Sequence, residues 1–226
     1  MRPLRSLMFG MVMVAAGATA HAQDGAVHVV TYVDVMPSSV AAGATLLKQY
    51  RDASRKEDGS VNVQVLQEIG RPNRLAIVEV WKDKPARDAH VGAASTAQFR
   101  DKLKAIQNAP YDERVHFPLS VGPLPASLGG PAIIGVTHVD VIPPQRENGT
   151  ALVKQLADDG RKDDGNLRFE AVTQTGRQNH FTVIEAWRNR KSSDAHAMNA
   201  KTRAFREKLA PASGALYDQR FYKLLD

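Results

Sequence analysis

The sequence contains no cysteine, and aromatic residues make up only 6% of its 226 residues. The lack of cysteine excludes disulfide bonds and paired-cysteine motifs, so burial of apolar surface must hold the core together. Glycine-rich phosphate loops and nucleophile elbows are also absent. The chemistry that depends on those motifs is therefore not indicated.

Long stretches of one charge sign are absent as well. The formal net charge is +6, but basic residues alternate with acidic ones, as in residues 55–58 and 100–102. Such alternation is typical of solvated helix faces. Because nucleic-acid binding needs a basic stripe or interleaved aromatic residues, we expect no nucleic-acid partner.

What the chain does contain is a gap-free internal repeat with a shift of 106 residues, which carries Trp81 onto Trp187 and His90 onto His196. The matched motifs are Thr31-x-Val33-Asp34-Val35 with Thr137-x-Val139-Asp140-Val141, residues 55–59 with 161–165, Glu79-x-Trp81 with Glu185-x-Trp187, and Asp88-Ala89-His90 with Asp194-Ala195-His196. This period is longer than the ~20–50 residues of solenoid repeats, so it predicts two duplicated domains.

The first 22 residues predict an export signal that does not belong to the fold. Arg2 and Arg5 precede an apolar run over residues 7–20, and Ala20-His21-Ala22 fits a signal-peptidase site. The run is shorter than the ~20 residues that a comfortable membrane span needs. We therefore expect a periplasmic or secreted protein without membrane attachment after cleavage. The expected domains are the signal peptide 1–22, repeat 1 at 23–117, a Pro/Gly-rich linker at 118–131 and repeat 2 at 132–226.

Each repeat predicts the element order β-α-β-β-α-β, which is the ferredoxin-like arrangement of the α+β class. Asp83 and Asn189 are expected to cap the short helices that carry His90 and His196. The third strand is apolar on both faces, with Leu75, Ile77 and Trp81 on one and Ala76, Val78 and Val80 on the other. Helices cover only one face, so the antiparallel sheets of the two repeats are expected to pack on each other in a shared barrel-like core.

These motifs, in their order and spacing, resemble the antibiotic biosynthesis monooxygenase family, abbreviated ABM. The resemblance rests on Arg55, Gly59, residues 71–74, the Glu79-x-Trp81 motif and residues 88–90, together with their counterparts in the second copy. It covers essentially the whole mature chain. It implies a dimeric α/β barrel, here fused into an intrachain pseudo-dimer.

The same resemblance implies a choice of activities. Some family members are cofactor-free monooxygenases of quinols and anthrones, and one branch degrades heme. The heme-degrading branch uses an Asn on its first strand, where this chain has Thr31 and Thr137. Heme degradation is therefore not expected.

His90 and His196 are the candidate catalytic residues. Histidine has a suitable pKa to remove a phenolic or acidic carbon proton near neutral pH, and the resulting anion can reduce oxygen. An apolar site would admit both oxygen and a flat aromatic ring. The alternative is that each histidine caps or packs its short helix. Recurrence in both repeats fits either role.

The candidate substrate-pocket residues lie on the first and third strands of each repeat. They are Glu79, Trp81, Glu185, Trp187, Thr31, Thr137, Tyr32 and His138. The tryptophans are expected to be core anchors or pocket walls. Tyr32 and His138 occupy equivalent positions with different chemistry, which predicts two unequal pockets, unless the difference is drift at exposed positions.

A carboxylate among the apolar residues of the third strand needs a partner. Glu79 either orients a catalytic histidine or contacts a substrate hydroxyl, or it forms a structural salt bridge. We favour a salt bridge to Arg55 or Arg114 for Glu79, and to Arg161 or Arg220 for its twin Glu185.

The sequence thus favours an exported, cofactor-independent monooxygenase that oxidises a quinol-like or polycyclic phenolic substrate with molecular oxygen. No cofactor is expected, and no metal site, because His28, His116 and His138 are scattered over separate strands. The alternative is a non-catalytic module that binds an aromatic, lipid-like or heme ligand in the same cavity. Further self-association of the fused chain stays open.

Overall fold

The computed structural model describes residues 25–225, so the predicted signal peptide, residues 1–22, lies outside the described residues. The strands are β1 Val27–Asp34, β2 Ser60–Glu68, β3 Arg74–Trp81, β4 Asp112–Ser120, β5 Ile133–Asp140, β6 Asn166–Gln174, β7 Arg177–Trp187 and β8 Asp218–Leu224. The helices are α1 Val40–Ser54, α2 Lys84–Gly92, α3 Ala94–Lys104, α4 Arg146–Gly160, α5 Arg190–Met198 and α6 Ala200–Leu209. Both repeats have the predicted βαββαβ order, with the second helix divided in two.

The eight strands form one closed antiparallel barrel in the order β1-β3-β2-β8-β5-β7-β6-β4. Strand β2 pairs with β8, with Leu66 opposite Leu224, and β4 pairs with β6, with Phe117 opposite Thr173. These two junctions join the sheets of the two repeats edge to edge. The predicted intrachain pseudo-dimer barrel is thereby confirmed.

The apolar core has three layers, because both faces of the barrel wall are covered. Residues of alternate parity on each strand face either the barrel interior or the helices. The interior layer includes Val30, Leu66, Ala76, Val78, Ile134, Val136, Ile184 and Tyr222. The outer layer of repeat 1 packs Leu75 and Ile77 against α1 and α3, and Phe181 and Val183 do the same in repeat 2.

A proline separates the first strand of repeat 1 from its first helix. Pro37 opens a 3-10 turn at Pro37–Ser39, and α1 follows directly. Ser39 occupies the N-cap position of α1, but its side chain makes no capping hydrogen bond. Within residues 25–225, no helix is both long and apolar enough to cross a membrane.

The connection between the repeats begins later than the sequence suggested. Strand β4 continues to Ser120, so residues 118–120 of the expected linker pair with β6, with a register shift between Pro118 and Ser120. Leu128 and Ala132 belong to the core of the barrel interior. The remaining connecting segment is therefore packed against the barrel rather than extended away from it.

A buried polar cluster interrupts the apolar barrel interior and breaks its twofold symmetry. Arg168 bonds Glu170 at 2.7 Å and Gln64 of the other repeat at 3.0 Å. His28 Nδ1 lies 3.5 Å from Glu170. Burial alone raises the pKa of Glu170, but Arg168 and His28 bring it down to about 2.

Replacing Leu66 with Ala tests the shared core. Leu66 is fully buried in the interior layer, so we expect a loss of about 2–5 kcal/mol in the free energy of unfolding. Because both repeats contribute to this layer, urea unfolding followed by circular dichroism should remain a single transition. The control Val61→Ala changes a residue that is 50% exposed and should cost less than about 0.5 kcal/mol. Two separate transitions, with only one affected, would contradict a shared core.

Candidate active site

His90 and His196 lie near the ends of α2 and α5 and are buried, with 4% and 7% of their surface exposed. Each helix begins at the predicted cap. The Asp83 carboxylate accepts a hydrogen bond from the Ala86 N–H at 2.8 Å, and the Asn189 side chain accepts one from Ser192 N–H at 3.0 Å. The two histidines therefore sit at fixed places over the sheet.

A glycine turn lets α2 approach the end of α1 closely. Gly59 has a φ of +79°, and a Cβ built on it would lie 2.5 Å from the Cβ of Ala86. Only glycine tolerates both this backbone conformation and this close approach. Gly165 has the same φ in repeat 2. The repeated glycine thus brings the acid two residues before it, Glu57 or Asp163, next to the histidine of the following helix.

The tryptophans form the walls against which the histidines stack. The rings of Trp81 and His90 have centroids 4.4 Å apart and planes inclined by 26°, and those of Trp187 and His196 are 4.7 Å apart at 28°. Both tryptophans are fully buried at the ends of their strands. They are buried as expected of core anchors, and each holds one imidazole in a defined orientation, but neither lines the cleft beside its histidine.

In repeat 1 the histidine joins a continuous hydrogen-bonded chain between two carboxylates. His90 Nδ1 lies 2.8 Å from Glu57 Oε2, and His90 Nε2 lies 2.7 Å from the Tyr50 hydroxyl. The same hydroxyl lies 2.8 Å from Glu79 Oε1. The order is Glu57, His90, Tyr50 and Glu79, from the surface to the interior. This chain can carry a proton.

When His90 Nδ1 carries a proton and donates it to Glu57, the other protons of this hydrogen-bonded chain have two arrangements. In one, a protonated Glu79 donates to the Tyr50 oxygen, and the Tyr50 hydroxyl donates to a neutral His90. In the other, an imidazolium donates to Tyr50, which donates to a Glu79 carboxylate. The two arrangements contain the same number of protons. Tyr50 can therefore transmit a charge between His90 and Glu79 without itself ionising.

The pKa shifts agree with this exchange. Burial raises the pKa of Glu79 to about 7, although the Tyr50 hydrogen bond opposes the shift. Burial lowers the pKa of His90, and Glu57 opposes that shift. Burial and the nearby Glu79 raise the pKa of Tyr50, which keeps it a phenol. Glu79 therefore titrates close to neutral pH.

Repeat 2 lacks the link between histidine and glutamate, because Leu156 stands at the position of Tyr50. His196 Nδ1 still lies 2.7 Å from Asp163, but its Nε2 is 3.8 Å from Glu185. Glu185 instead accepts hydrogen bonds from Trp187 Nε1 at 3.0 Å and Gln219 Nε2 at 2.9 Å. Burial raises the pKa of Glu185. The two sites thus differ at Tyr50 and Leu156, whereas the sequence predicted a difference at Tyr32 and His138.

The favoured salt bridges to Glu79 and Glu185 are wrong. Arg114 pairs with Asp112 at 2.7 Å and Arg220 with Asp218 at 2.6 Å. Both arginines lie over the ring of Tyr32, on the barrel side of the sheet, whereas Glu79 faces the helices. Strand parity therefore keeps these arginines from the glutamates.

The two other arginines are also engaged elsewhere. Arg55 Nε donates to the Val63 carbonyl oxygen at 2.9 Å, and Arg161 pairs with Asp158. Glu79 instead has Tyr50 as its close polar partner.

The remaining candidate pocket residues divide between the two faces of the sheet. Thr31 and Thr137 are buried on the helix side, at 0% and 1% exposure. Tyr32 packs into the barrel interior layer, and His138 lies on the same barrel side, 3.3 Å from His180. Tyr32 and His138 therefore do not share a pocket with the candidate histidines.

The clefts beside the histidines combine charged and apolar lining residues. An open cleft of about 580 Å³ borders His90, and its lining includes Glu57, Asp58, Lys82 and Asp83. A smaller cleft of about 190 Å³ borders His196. Apolar side chains such as Ala86, Ala89 and Phe205 line these openings as well, and the larger cleft falls within the usual ~300–1,000 Å³ of ligand sites.

Neither Glu57 nor Tyr50 was among the candidate site residues from the sequence. The repeat did carry a signal for Glu57, because an acid recurs as Asp163 before the matched glycine. No such signal marked Tyr50, since its counterpart is Leu156. Only the packing of α1 over β3 brings this hydroxyl to Glu79.

Comparison with known proteins identifies the family. The model of the antibiotic biosynthesis monooxygenase family matches the chain twice, over residues 26–102 and 132–208. A curated relative is "Putative monooxygenase YcnE" of Bacillus subtilis, which is 27% identical over 81 residues, or 36% of this chain and 85% of that protein.

Solved structures share the double-repeat fold. One from Fusobacterium nucleatum, described as a "putative monooxygenase", has a TM-score of 0.81 at 13% identity and covers 89% of this chain and 93% of its own. Another with the same description, from Lactobacillus acidophilus, has a TM-score of 0.73 at 13% identity, with coverage of 89% and 95%. At this identity the likeness shows the fold alone. The two family matches settle membership, and the chain belongs to the antibiotic biosynthesis monooxygenase family as a tandem pair of its domains.

Proposed function

We propose that the protein is a cofactor-independent monooxygenase that oxidises a quinol-like or polycyclic phenolic substrate with molecular oxygen, and that repeat 1 carries the reaction. Family membership supports monooxygenase-like chemistry. The observation that supports the assignment to repeat 1 is the chain from Glu57 through His90 and Tyr50 to Glu79. Repeat 2 has Leu156 in place of Tyr50 and is assigned no catalytic role.

The base is His90. It can accept a proton once the hydrogen-bonded chain from Glu57 to Glu79 has lost one of its protons. Glu79 is then a carboxylate that accepts from Tyr50, and Tyr50 accepts from His90 Nε2–H. The Glu57 carboxylate lines the cleft and lies 2.8 Å from Nδ1, so it takes the substrate proton and passes it on to the Nδ1 lone pair. The imidazolium that forms has a carboxylate at each end, Glu57 directly and Glu79 through Tyr50. This arrangement stabilises the charge that proton abstraction creates.

The overall reaction is balanced with oxygen as the only oxidant. For an anthrone, His90 removes one proton from the reacting CH₂ carbon, and the anion passes one electron to oxygen. The two radicals combine to a peroxide, which takes back the proton. Loss of the second C–H proton and cleavage of the O–O bond then give a carbonyl and water. The sum is CH₂ plus O₂ to C=O plus H₂O, and His90 ends as it began.

Replacement of His90 tests the base directly. Anthrone or menadiol is supplied to metal-stripped protein, and oxygen uptake above the buffer rate is measured. We expect His90→Ala to lower the rate by about 10²-fold or more, because general-base catalysis contributes about 10²–10⁴-fold. Tyr50→Phe, which keeps the packing but breaks the link to Glu79, should give a smaller loss.

The matched control is His196→Ala, which removes the equivalent ring from repeat 2 and should leave uptake unchanged. An unchanged rate in His90→Ala, or uptake no faster than in buffer, contradicts the proposal. Substrate binding without turnover would instead identify a non-catalytic module for aromatic ligands.

The pH dependence of uptake follows from Glu79. The hydrogen-bonded chain accepts a substrate proton only after Glu79 has become a carboxylate. The pKa of Glu79 is raised to about 7. The enzyme-dependent rate should therefore rise as pH increases through about 7, once the buffer reaction at each pH is subtracted. Because Tyr50→Phe breaks the link between Glu79 and His90, the rate of this variant should no longer follow the titration of Glu79. A rate independent of pH between 5 and 9 would show that Glu79 takes no part in the proton transfer.

We also propose that the protein is exported and cleaved after Ala22. The support is the basic, apolar and small-residue pattern of residues 1–22. Expression of the full chain in a Gram-negative host, followed by fractionation and N-terminal sequencing, should give a periplasmic protein that begins at Gln23. An intact N-terminus in the cytoplasmic fraction would refute the proposal, and Ala20→Leu with Ala22→Leu should block cleavage.

A further inference from the structure

Three side chains with metal-ligating atoms converge on the barrel side of the sheet, where β5 ends and β7 begins. His138 and Asp140 are two residues apart on β5 and share a face. His180 of β7 lies directly opposite Asp140 in the strand register. The sequence separates His138 from His180 by 42 residues, and only the β5–β7 pairing brings them together.

The distances within this group suit a small cation. His138 Nε2 lies 3.3 Å from His180 Nδ1, and one ligand atom from each of the three residues lies within 4.8 Å of the others. Tetrahedral zinc with bonds of ~2.0–2.1 Å has ligand atoms about 3.4 Å apart. The two imidazoles already meet this spacing. Asp140 Oδ1 lies 3.5 Å from the other ring nitrogen of His180, Nε2, so its side chain has to turn to reach the same ion.

We propose that His138, His180 and Asp140 form a binding site for one divalent first-row transition-metal ion, with Zn²⁺ as the reference ion. Two imidazoles and one carboxylate are ligands that this class of ion prefers. Three protein ligands leave a fourth position for water or an exogenous ligand. His180 and Asp140 retain 16% and 18% exposure, so an ion can enter from solvent.

The surroundings of the two imidazoles fit a shared ligand between them. The two ring nitrogens that face each other at 3.3 Å must share either a proton or a cation. The charged groups around His138 are Asp140, Asp218 and Arg114. Arg114 is itself paired with Asp112.

Repeat 1 shows what the same positions look like without a site. Its equivalents are Tyr32, Asp34 and Arg74, so the carboxylate is kept and both histidines are absent. Arg74 Nε lies 3.8 Å from Asp34 and places a fixed positive charge beside the carboxylate. The site is therefore a property of repeat 2 only. It lies on the opposite face of the sheet from His90 and does not depend on the proposed oxidation.

Zinc binding to the metal-stripped protein, purified without an affinity tag, tests the site. Isothermal titration calorimetry should give one Zn²⁺ per chain. His180→Arg and His138→Tyr, which install the residues of repeat 1, should each weaken binding by at least about tenfold. Asp140→Asn, which preserves shape, should weaken it as well. Circular dichroism shows whether each variant is folded.

A gain of function makes the test independent of damage to the fold. The double variant Tyr32→His with Arg74→His rebuilds the triad around Asp34, and the stoichiometry should rise from one Zn²⁺ per chain to two. His90→Gln, on the other face, should leave one Zn²⁺ bound. If the unmodified protein binds no Zn²⁺ at micromolar concentration, or folded Asp140→Asn and His180→Arg bind it undiminished, the two histidines share only a proton and the proposal is overturned.

Discussion

The structure depends on the need to bury an antiparallel sheet on both faces. The helices of each repeat cover only the outer face, and alternate residues such as Val30, Leu66 and Val78 leave an equally apolar inner face. Exposing that face to water would cost far more than the few kcal/mol of net stability that a domain has. The second repeat covers it. The edge pairings β2–β8 and β4–β6 follow, and the two domains become one barrel.

This shared core leaves the two outer faces free to diverge. Each face has a histidine stacked on a tryptophan and an acid at its Nδ1, because the glycine turn and the capped short helix recur. The buried glutamate beside them is costly in either repeat unless it is hydrogen-bonded or protonated. Tyr50 serves Glu79 in repeat 1, while Trp187 and Gln219 serve Glu185 in repeat 2. The same constraint is thus met by two arrangements, and only one connects the glutamate to the histidine.

The barrel interior shows a similar divergence. Arg168 and Glu170 form an ion pair where repeat 1 has Asn62 and Gln64, and Gln64 completes the pair from across the barrel. The fusion of two repeats in one chain allows this asymmetry, because each residue occurs only once in the barrel. In a symmetric dimer, a charge near the twofold axis would face its own copy. The pair His138 and His180 of repeat 2 is a second case, because repeat 1 has Tyr32 and Arg74 at the equivalent positions.

The sequence by itself determined the duplication, the βαββαβ order, the two-sided burial of the sheet and the family, because periodicity and motif spacing are properties of the chain alone. It also placed His90 and His196 at matched positions. The tertiary structure decided which side chains meet them. Tyr50 had no counterpart in the repeat, Arg114 proved to face the wrong side of its strand, and His180 reached His138 only through the register of β5 and β7. Contacts between elements depend on parity, register and helix packing, which local patterns do not encode.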